Sequence, residues 1–151
     1  MGKFWSNTLY FVGCASILSF IINLTWEYVQ CSPLFIHLKL GATSTSMILA
    51  TLGDVAIMWT SYLGVVVFSR SLLWARTSTG ILNWILFALI SAIIAEVIEY
   101  SAINRQLWAY SSITPTINGV SLIPALQMII INPFTIFATQ KIAAVRESKL
   151  E

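Results

Sequence analysis

The chain alternates between long apolar stretches and short polar ones. The four longest apolar stretches lie near residues 7–30, 44–69, 80–102 and 119–140. A helix of about 20 residues crosses the roughly 30 Å hydrocarbon layer of a bilayer. None of these stretches alternates between apolar and polar residues as the strands of a membrane barrel do. The pattern therefore predicts an all-α fold, a bundle of four transmembrane helices that forms one domain over residues 1–151.

Basic residues between the stretches predict the orientation of the bundle, because Lys and Arg accumulate on the cytoplasmic side of a membrane. With four spans, both termini lie on the same side as the loop 70–79. That side carries six of the eight basic residues, which are Lys3, Arg70, Arg76, Lys141, Arg146 and Lys149. Lys39 and Arg105 remain on the outer side. We therefore expect both termini to be cytoplasmic.

Composition narrows the class of protein further. Of the 151 residues, 58% are hydrophobic and 9% are charged, whereas a soluble domain carries about 25% charged residues. This excludes a water-soluble domain and a disordered chain. A net charge of +2 without a dense basic patch argues against a nucleic-acid partner. We expect an integral membrane protein, and the lack of an N-terminal targeting extension favours a bacterial inner membrane.

Cysteine and histidine are too few to predict a metal site or a cofactor. The two cysteines, Cys14 and Cys31, lie about 25 Å apart along one predicted helix, so they cannot form a disulfide within one chain. The chain has no CxxC motif, and its single histidine, His37, lies in a predicted loop. We therefore expect neither a bound metal nor a haem.

Acidic residues inside the predicted spans are the candidate functional groups, because a charged side chain in a membrane is costly and rarely kept without a role. The chain has six acidic residues, and four of them lie within or at the edge of a span: Glu27, Asp54, Glu96 and Glu99. In the first span, Ser16, Ser19, Asn23, Glu27 and Gln30 recur at spacings of three and four, which places them on one helix face.

Each predicted helix brings a polar group to the outer half of the bundle. In the fourth helix this group is the side chain of Gln127. If these faces point inward, they form one acidic pocket beneath the outer loop that carries Arg105, Trp108 and Tyr110. Arg105 is then the natural ion-pair partner of one carboxylate. A structural interpretation stays open beside this one: Asn23 and Gln127 can join helices through hydrogen bonds, and Trp26 and Trp108 can serve packing alone.

Two segments carry a resemblance to a known family. Trp108-Ala109-Tyr110, followed by residues 118–127 with Pro124, resembles the loop-and-helix pattern of the lycopene cyclase membrane domain. The chain departs from that pattern at Ala125, Leu126 and Gln127, where the family has paired acids, so acid chemistry here would come from other residues. The whole pattern is also similar to that of small bacterial four-span membrane proteins of uncharacterised function. A bundle of four helices with acidic residues inside the membrane is similar, in addition, to the sterol isomerase and sigma-2-receptor-like membrane domain.

The leading hypothesis is a small membrane enzyme that transfers protons on a lipid or isoprenoid. Glu96 and Glu99 would be its acid–base pair, and Asp54 would stabilise developing positive charge. The predicted ligand-binding residues are Asn23, Trp26, Glu27, Arg105, Trp108, Tyr110 and Gln127.

Two alternatives use the same residues differently. A proton- or cation-coupled transport protein would use the carboxylates as a relay. A non-catalytic ligand-binding or accessory subunit would use the polar groups to hold its helices together. The expected partner is a membrane lipid or an apolar small molecule, and the sequence leaves a homo-oligomer open.

Overall fold

Four long helices make up most of the fold. The computed structural model describes residues 2–39, 41, 43–75 and 80–149. Its helices are α1 (Gly2–Leu34), α2 (Ser44–Ser69), α3 (Ile81–Asn104) and α4 (Ile123–Ser148). All four are long and apolar enough to cross a membrane, which confirms the predicted set of spans and identifies an integral membrane protein. Of the residues used to predict orientation, Arg76 and the side chain of Lys3 lie outside the described residues.

The helices pack in a ring, so that α1 and α3 each contact both α2 and α4. At one end of the ring, Asn7 Nδ2 donates to Glu147 Oε1 at 2.8 Å. Beside this bond the Arg146 guanidinium lies over the Tyr10 ring, 4.1 Å from its centroid. The start of α1 and the end of α4 therefore meet at one end of the bundle, which we call the terminal end. That this end faces the cytoplasm stays a prediction.

The opposite end carries two small antiparallel sheets that the all-α prediction did not include. Strand β1 (Phe35–His37) pairs with β2 (Trp108–Tyr110), and β3 (Thr116–Ile117) pairs with β4 (Val120–Ser121). The first sheet joins the α1–α2 connection to the α3–α4 connection. We call this the sheet end of the bundle. The pairing gives Trp108 and Tyr110 a defined position over the helices.

The fourth helix begins later than the predicted span. Asn118 and Gly119 have φ values of 52° and 81°, so they form the turn between β3 and β4 rather than a first helical turn. Asn-Gly is a preferred sequence for such hairpin turns, because both positions need a positive φ. Helix α4 begins only at Ile123, with Pro124 in its first turn, where a missing backbone N–H costs nothing.

The interior differs between the two ends. In the half of the bundle toward the terminal end, aromatic and aliphatic side chains form a closed core that includes Phe11, Met58, Tyr62, Trp74 and Phe87. Trp74 is only 1% exposed, and its ring centroid lies 5.1 Å from that of Tyr62. Toward the sheet end, polar side chains replace this core. The fold therefore positions a polar interior next to the two sheets.

Candidate functional site

A cavity of about 390 Å³ lies among the helices at the sheet end, a volume within the range of small-molecule sites. Ile57, Ala95 and Met128, which form a small buried cluster, contribute apolar surface to its wall. Its polar lining comes from all four helices and both strands of the first sheet: Glu27, Gln30, Cys31, His37, Ser46, Asp54, Glu99, Trp108 and Gln127. No Lys or Arg is among the described residues that line it.

The cavity opens sideways, between α2 and α3. Of the described lining residues, the exposed ones are Leu49, Ala50 and Gly53 on α2 and Ile98 on α3. The remaining lining residues are buried or half-buried. In a membrane the outer surfaces of these helices face lipid chains, so a ligand can enter from the bilayer without crossing water. The opening therefore favours an apolar ligand.

Glu99 is held in place by the first sheet. Its side chain is 4% exposed, and its Oε1 accepts hydrogen bonds from Trp108 Nε1 at 3.1 Å and from the Tyr110 hydroxyl at 2.7 Å. The two aromatic residues are two positions apart on β2, so a strand places both side chains on one face. The Tyr110 hydroxyl in turn accepts from the backbone N–H of Ser121 at 3.0 Å. Neither aromatic donor binds Oε2 of Glu99.

Tyr110 is expected to remain a neutral donor well above the usual range for tyrosine. Burial raises the pKa of its phenol from the ordinary value of 10.0, and the hydrogen bond to Glu99 adds to this. The folded state therefore holds the phenol proton of Tyr110 more tightly than the unfolded state does. This difference stabilises the folded protein fully below about pH 10, and the stabilisation is lost as the pH rises further. A pH titration followed by near-ultraviolet absorbance, carried out on the protein and on Tyr110→Phe, measures the ionisation of Tyr110. A tyrosinate step near pH 10 that disappears in Tyr110→Phe would contradict the prediction.

Gln127 of α4 joins three helices through its amide. The side chain is 2% exposed. Its Nε2 donates to Asn23 Oδ1 at 3.0 Å and to Asp54 Oδ2 at 3.1 Å. Its Oε1 accepts from Gln30 Nε2 at 3.4 Å. One buried amide thus connects α4 to α1 and to α2, and it fixes the position of the Asp54 carboxylate.

A second set of hydrogen bonds runs along α1. Gln30 Nε2 donates to Glu27 Oε1 at 2.8 Å, and Gln30 Oε1 accepts from Trp26 Nε1 at 2.6 Å. Asn23 Nδ2 donates to the carbonyl oxygen of Ser19 at 3.0 Å. Trp26 is not among the residues that line the cavity. Its indole positions Gln30, so Trp26 acts on the pocket through its neighbour.

The carboxylates of the cavity are close enough to repel one another. Glu27 interacts electrostatically with Asp54 and with Glu99. The predicted ion pair of Arg105 is wrong: its side chain is exposed and lies within 4 Å of no carboxylate among the described residues. Arg105 ends α3, and its carbonyl oxygen accepts from Lys39 Nζ at 2.7 Å. Protons or a bound cation must therefore balance the acidic charge in the cavity.

The structure does not bring Glu96 into the cavity, although Glu96 and Glu99 lie one turn apart on α3. Glu99 lines the cavity, whereas Glu96 is half-buried beside the backbone of Ala125 at the start of α4. Its Oε1 is buried without a hydrogen-bond partner. Residues three positions apart differ by about 60° around a helix, which here separates the two acids. The structure groups Glu99 with Glu27 and Asp54 instead.

Two residues of the cavity wall, Cys31 and His37, were not predicted from the sequence. Cys31 Sγ lies 2.7 Å from His37 Nε2. The sequence predicts a loop at His37, and a loop assignment does not predict the direction of its side chain. The period of two in Phe35-Ile36-His37 is a signal that could have placed His37 beside Phe35, because a strand puts both side chains on the same side, and both line the cavity.

Comparison of the chain with protein-family models, with curated proteins and with solved structures finds no match. The pocket itself is the basis for assigning a function. It combines three carboxylates from three helices, a buried amide that holds Asp54, and an opening on the lipid-facing surface.

Proposed function

We propose that the protein is a small enzyme of a bacterial inner membrane that transfers protons on a lipid or isoprenoid bound in the cavity. The observation that supports this most directly is the placement of Glu27, Asp54 and Glu99 around a cavity that opens between α2 and α3. Carboxyl groups are suited to acid–base chemistry, and a lateral opening admits a substrate that never leaves the membrane.

The reaction we propose is the migration of a carbon–carbon double bond. A carboxylic acid that holds its proton gives it to one carbon of the double bond, and the other carbon becomes a cation. A carboxylate then removes a proton from the neighbouring carbon, so that a new double bond forms and the proton count is restored. One carboxyl group can give the first proton and, as a carboxylate, remove the second, while another carboxylate in a different environment stabilises the cation.

The surroundings of Glu99 and Asp54 suggest the role of each. Trp108 and Tyr110 hold Glu99 Oε1, which leaves Oε2 for proton exchange with the substrate, so Glu99 is the acid–base group. Asp54 lies on α2 and is held by Gln127, in position to stabilise the cation. The Trp108 ring also lines the cavity, and an aromatic face attracts a positive charge.

An isoprenoid is the substrate class we favour within this proposal. The segments that resemble the lycopene cyclase membrane domain contain Trp108 and Pro124, and both line the cavity. The trisubstituted double bonds of an isoprenoid yield tertiary cations on protonation, which suits a site built from carboxyl groups. The resemblance therefore supports the ligand class, while the acid chemistry rests on the carboxyl groups of the cavity.

Deuterium exchange tests the proposal on every lipid of the membrane at once, so the substrate need not be chosen in advance. The protein is reconstituted into liposomes of a total bacterial lipid extract in D₂O, and the lipids are analysed by mass spectrometry. We expect deuterium at a carbon position of one lipid class, and its loss in Asp54→Asn. If a folded protein with a bound lipid yields no deuterium in any lipid, proton transfer on lipids is excluded as its function.

Proton- or cation-coupled transport is the second candidate, and one observation favours it. Ser61, Asn132 and Thr135 each carry a buried polar oxygen without a hydrogen-bond partner, and they lie toward the terminal end from Asp54 and Gln127. Such groups often bind internal water. A dye that reports the pH inside liposomes would then show flux that depends on Asp54, with no lipid converted.

Native mass spectrometry in mild detergent separates these candidates from a non-catalytic role. A lipid or isoprenoid that co-purifies with the protein supports the enzyme. An empty pocket in a ring-shaped homo-oligomer supports transport. Stoichiometric binding of a second protein chain supports an accessory subunit.

A further inference from the structure

We infer that Cys31 and His37 form a nucleophile–base pair in the cavity wall, which accepts an acyl group from an ester-bearing lipid. This is a covalent function, different from the proton transfer proposed above, and it uses residues to which that proposal gives no role. The inference rests on the contact between the two side chains, on their access to the cavity, and on their depth in the bundle.

The contact places a thiol beside a base. Cys31 Sγ lies 2.7 Å from His37 Nε2, and a nucleophile within hydrogen-bond reach of a base is the arrangement that covalent catalysis requires. Cys31 stands near the end of α1 and His37 on β1. The pairing of β1 with β2, with His37 opposite Trp108, keeps the imidazole at this position.

Both groups face the cavity rather than a sealed core. Cys31 is 7% exposed and His37 is half-buried, and each lines the same space as Glu27 and Gln30. That space opens between α2 and α3 through Leu49 and Ile98. A lipid that enters from the bilayer between these exposed apolar residues can therefore reach the sulfur.

The depth of the pair selects the ligand. The apolar stretch of α1 ends at Cys31, which places the thiol at the border between the hydrocarbon layer and the headgroup region. The ester carbonyl groups of glycerolipids lie at this border. A carbonyl carbon is an electrophile that a thiolate attacks, so the lipid component nearest to the sulfur is also one with which it can react.

The step balances without another reactant. The Cys31 thiol gives its proton to His37, and the sulfur bonds to the ester carbonyl carbon. The carbon–oxygen bond to the glycerol breaks, and His37 returns the proton to the leaving oxygen. The products are an acyl thioester on Cys31 and a lipid with one free hydroxyl group, and neither oxidant nor reductant takes part.

The second cysteine of the chain is an internal control. Cys14 is free and half-buried in the half of α1 nearer the terminal end, and it is not among the described residues that line the cavity. A reagent that reacts through the cavity with help from His37 should select Cys31, whereas reaction with any accessible thiol should modify Cys14 as well.

The experiment incubates the full chain in mild detergent with p-nitrophenyl octanoate, then maps the acyl group by mass spectrometry. We expect one octanoyl group on Cys31, removed by hydroxylamine, with Cys14 unmodified. His37→Gln should slow the reaction by about 10²-fold, the usual effect of losing a general base. The acyl group on Cys31 and the deuterium in the lipid are measured independently, so this inference and the proposed proton transfer fail separately.

Liposomes then identify the natural source of the acyl group. In vesicles of diacyl phosphatidylglycerol we expect acylated Cys31, and in vesicles of the matching diether lipid, which has no ester, we expect none. Equal modification of Cys14 and Cys31 by p-nitrophenyl octanoate, or an unchanged rate in folded His37→Gln, overturns the inference. The comparison of the two cysteines is made within the unchanged protein, so it does not depend on whether a variant folds.

Discussion

Glu99→Gln is expected to slow proton transfer to a bound lipid by about 10²-fold to 10⁴-fold, the range for loss of a general acid or base. Gln keeps the oxygen that accepts from Trp108 and Tyr110, so the side chain keeps its position. It cannot hold or release a carboxyl proton. The rate of deuterium incorporation into lipid, in liposomes with D₂O, measures the effect.

Glu96→Gln is the matched control for this prediction. It makes the same chemical change on the same helix, one turn away, but Glu96 does not line the cavity. We expect the rate of deuterium incorporation to stay close to that of the unchanged protein. A rate that falls equally in both variants would place the acid–base pair on Glu96 and Glu99, as the sequence alone suggested, and would contradict the site described above.

Gln127→Met is expected to lower the free energy of unfolding by about 2–4 kcal/mol, because buried hydrogen-bonding groups lose their partner. Met has nearly the same length and fills the same space. The substitution removes the donor of Asp54 and of Asn23, and the acceptor of Gln30. Unfolding in mixed micelles, followed by circular dichroism, measures the change.

Leu126→Met is the control, because Leu126 is the preceding residue of α4 and its side chain is exposed. We expect it to change the free energy of unfolding by less than about 0.5 kcal/mol, as is usual for a surface position. If Gln127→Met is as stable as Leu126→Met, the amide does not hold the three helices together, and Asp54 is positioned by packing alone.

Local pattern determined the four helices of this protein. The length and apolarity of four stretches predicted the four helices, because a membrane leaves few other ways to satisfy the backbone. Spacings of three and four in α1 placed Ser19, Asn23 and Gln30 on one face, and all three are buried. These are properties of one helix at a time, which residue order specifies directly.

The arrangement of the site was decided by the tertiary structure, because it depends on how each helix is rotated about its axis and on which loop strands pair. Rotation of α3 turns Glu99 toward the cavity and leaves Glu96 beside Ala125. Pairing of β1 with β2 joins two loops that are far apart in the chain, and it holds Trp108 and Tyr110 at Glu99 and His37 at Cys31. Spacing within one helix contains no information about the packing of its neighbours, so these contacts could not be read from the sequence.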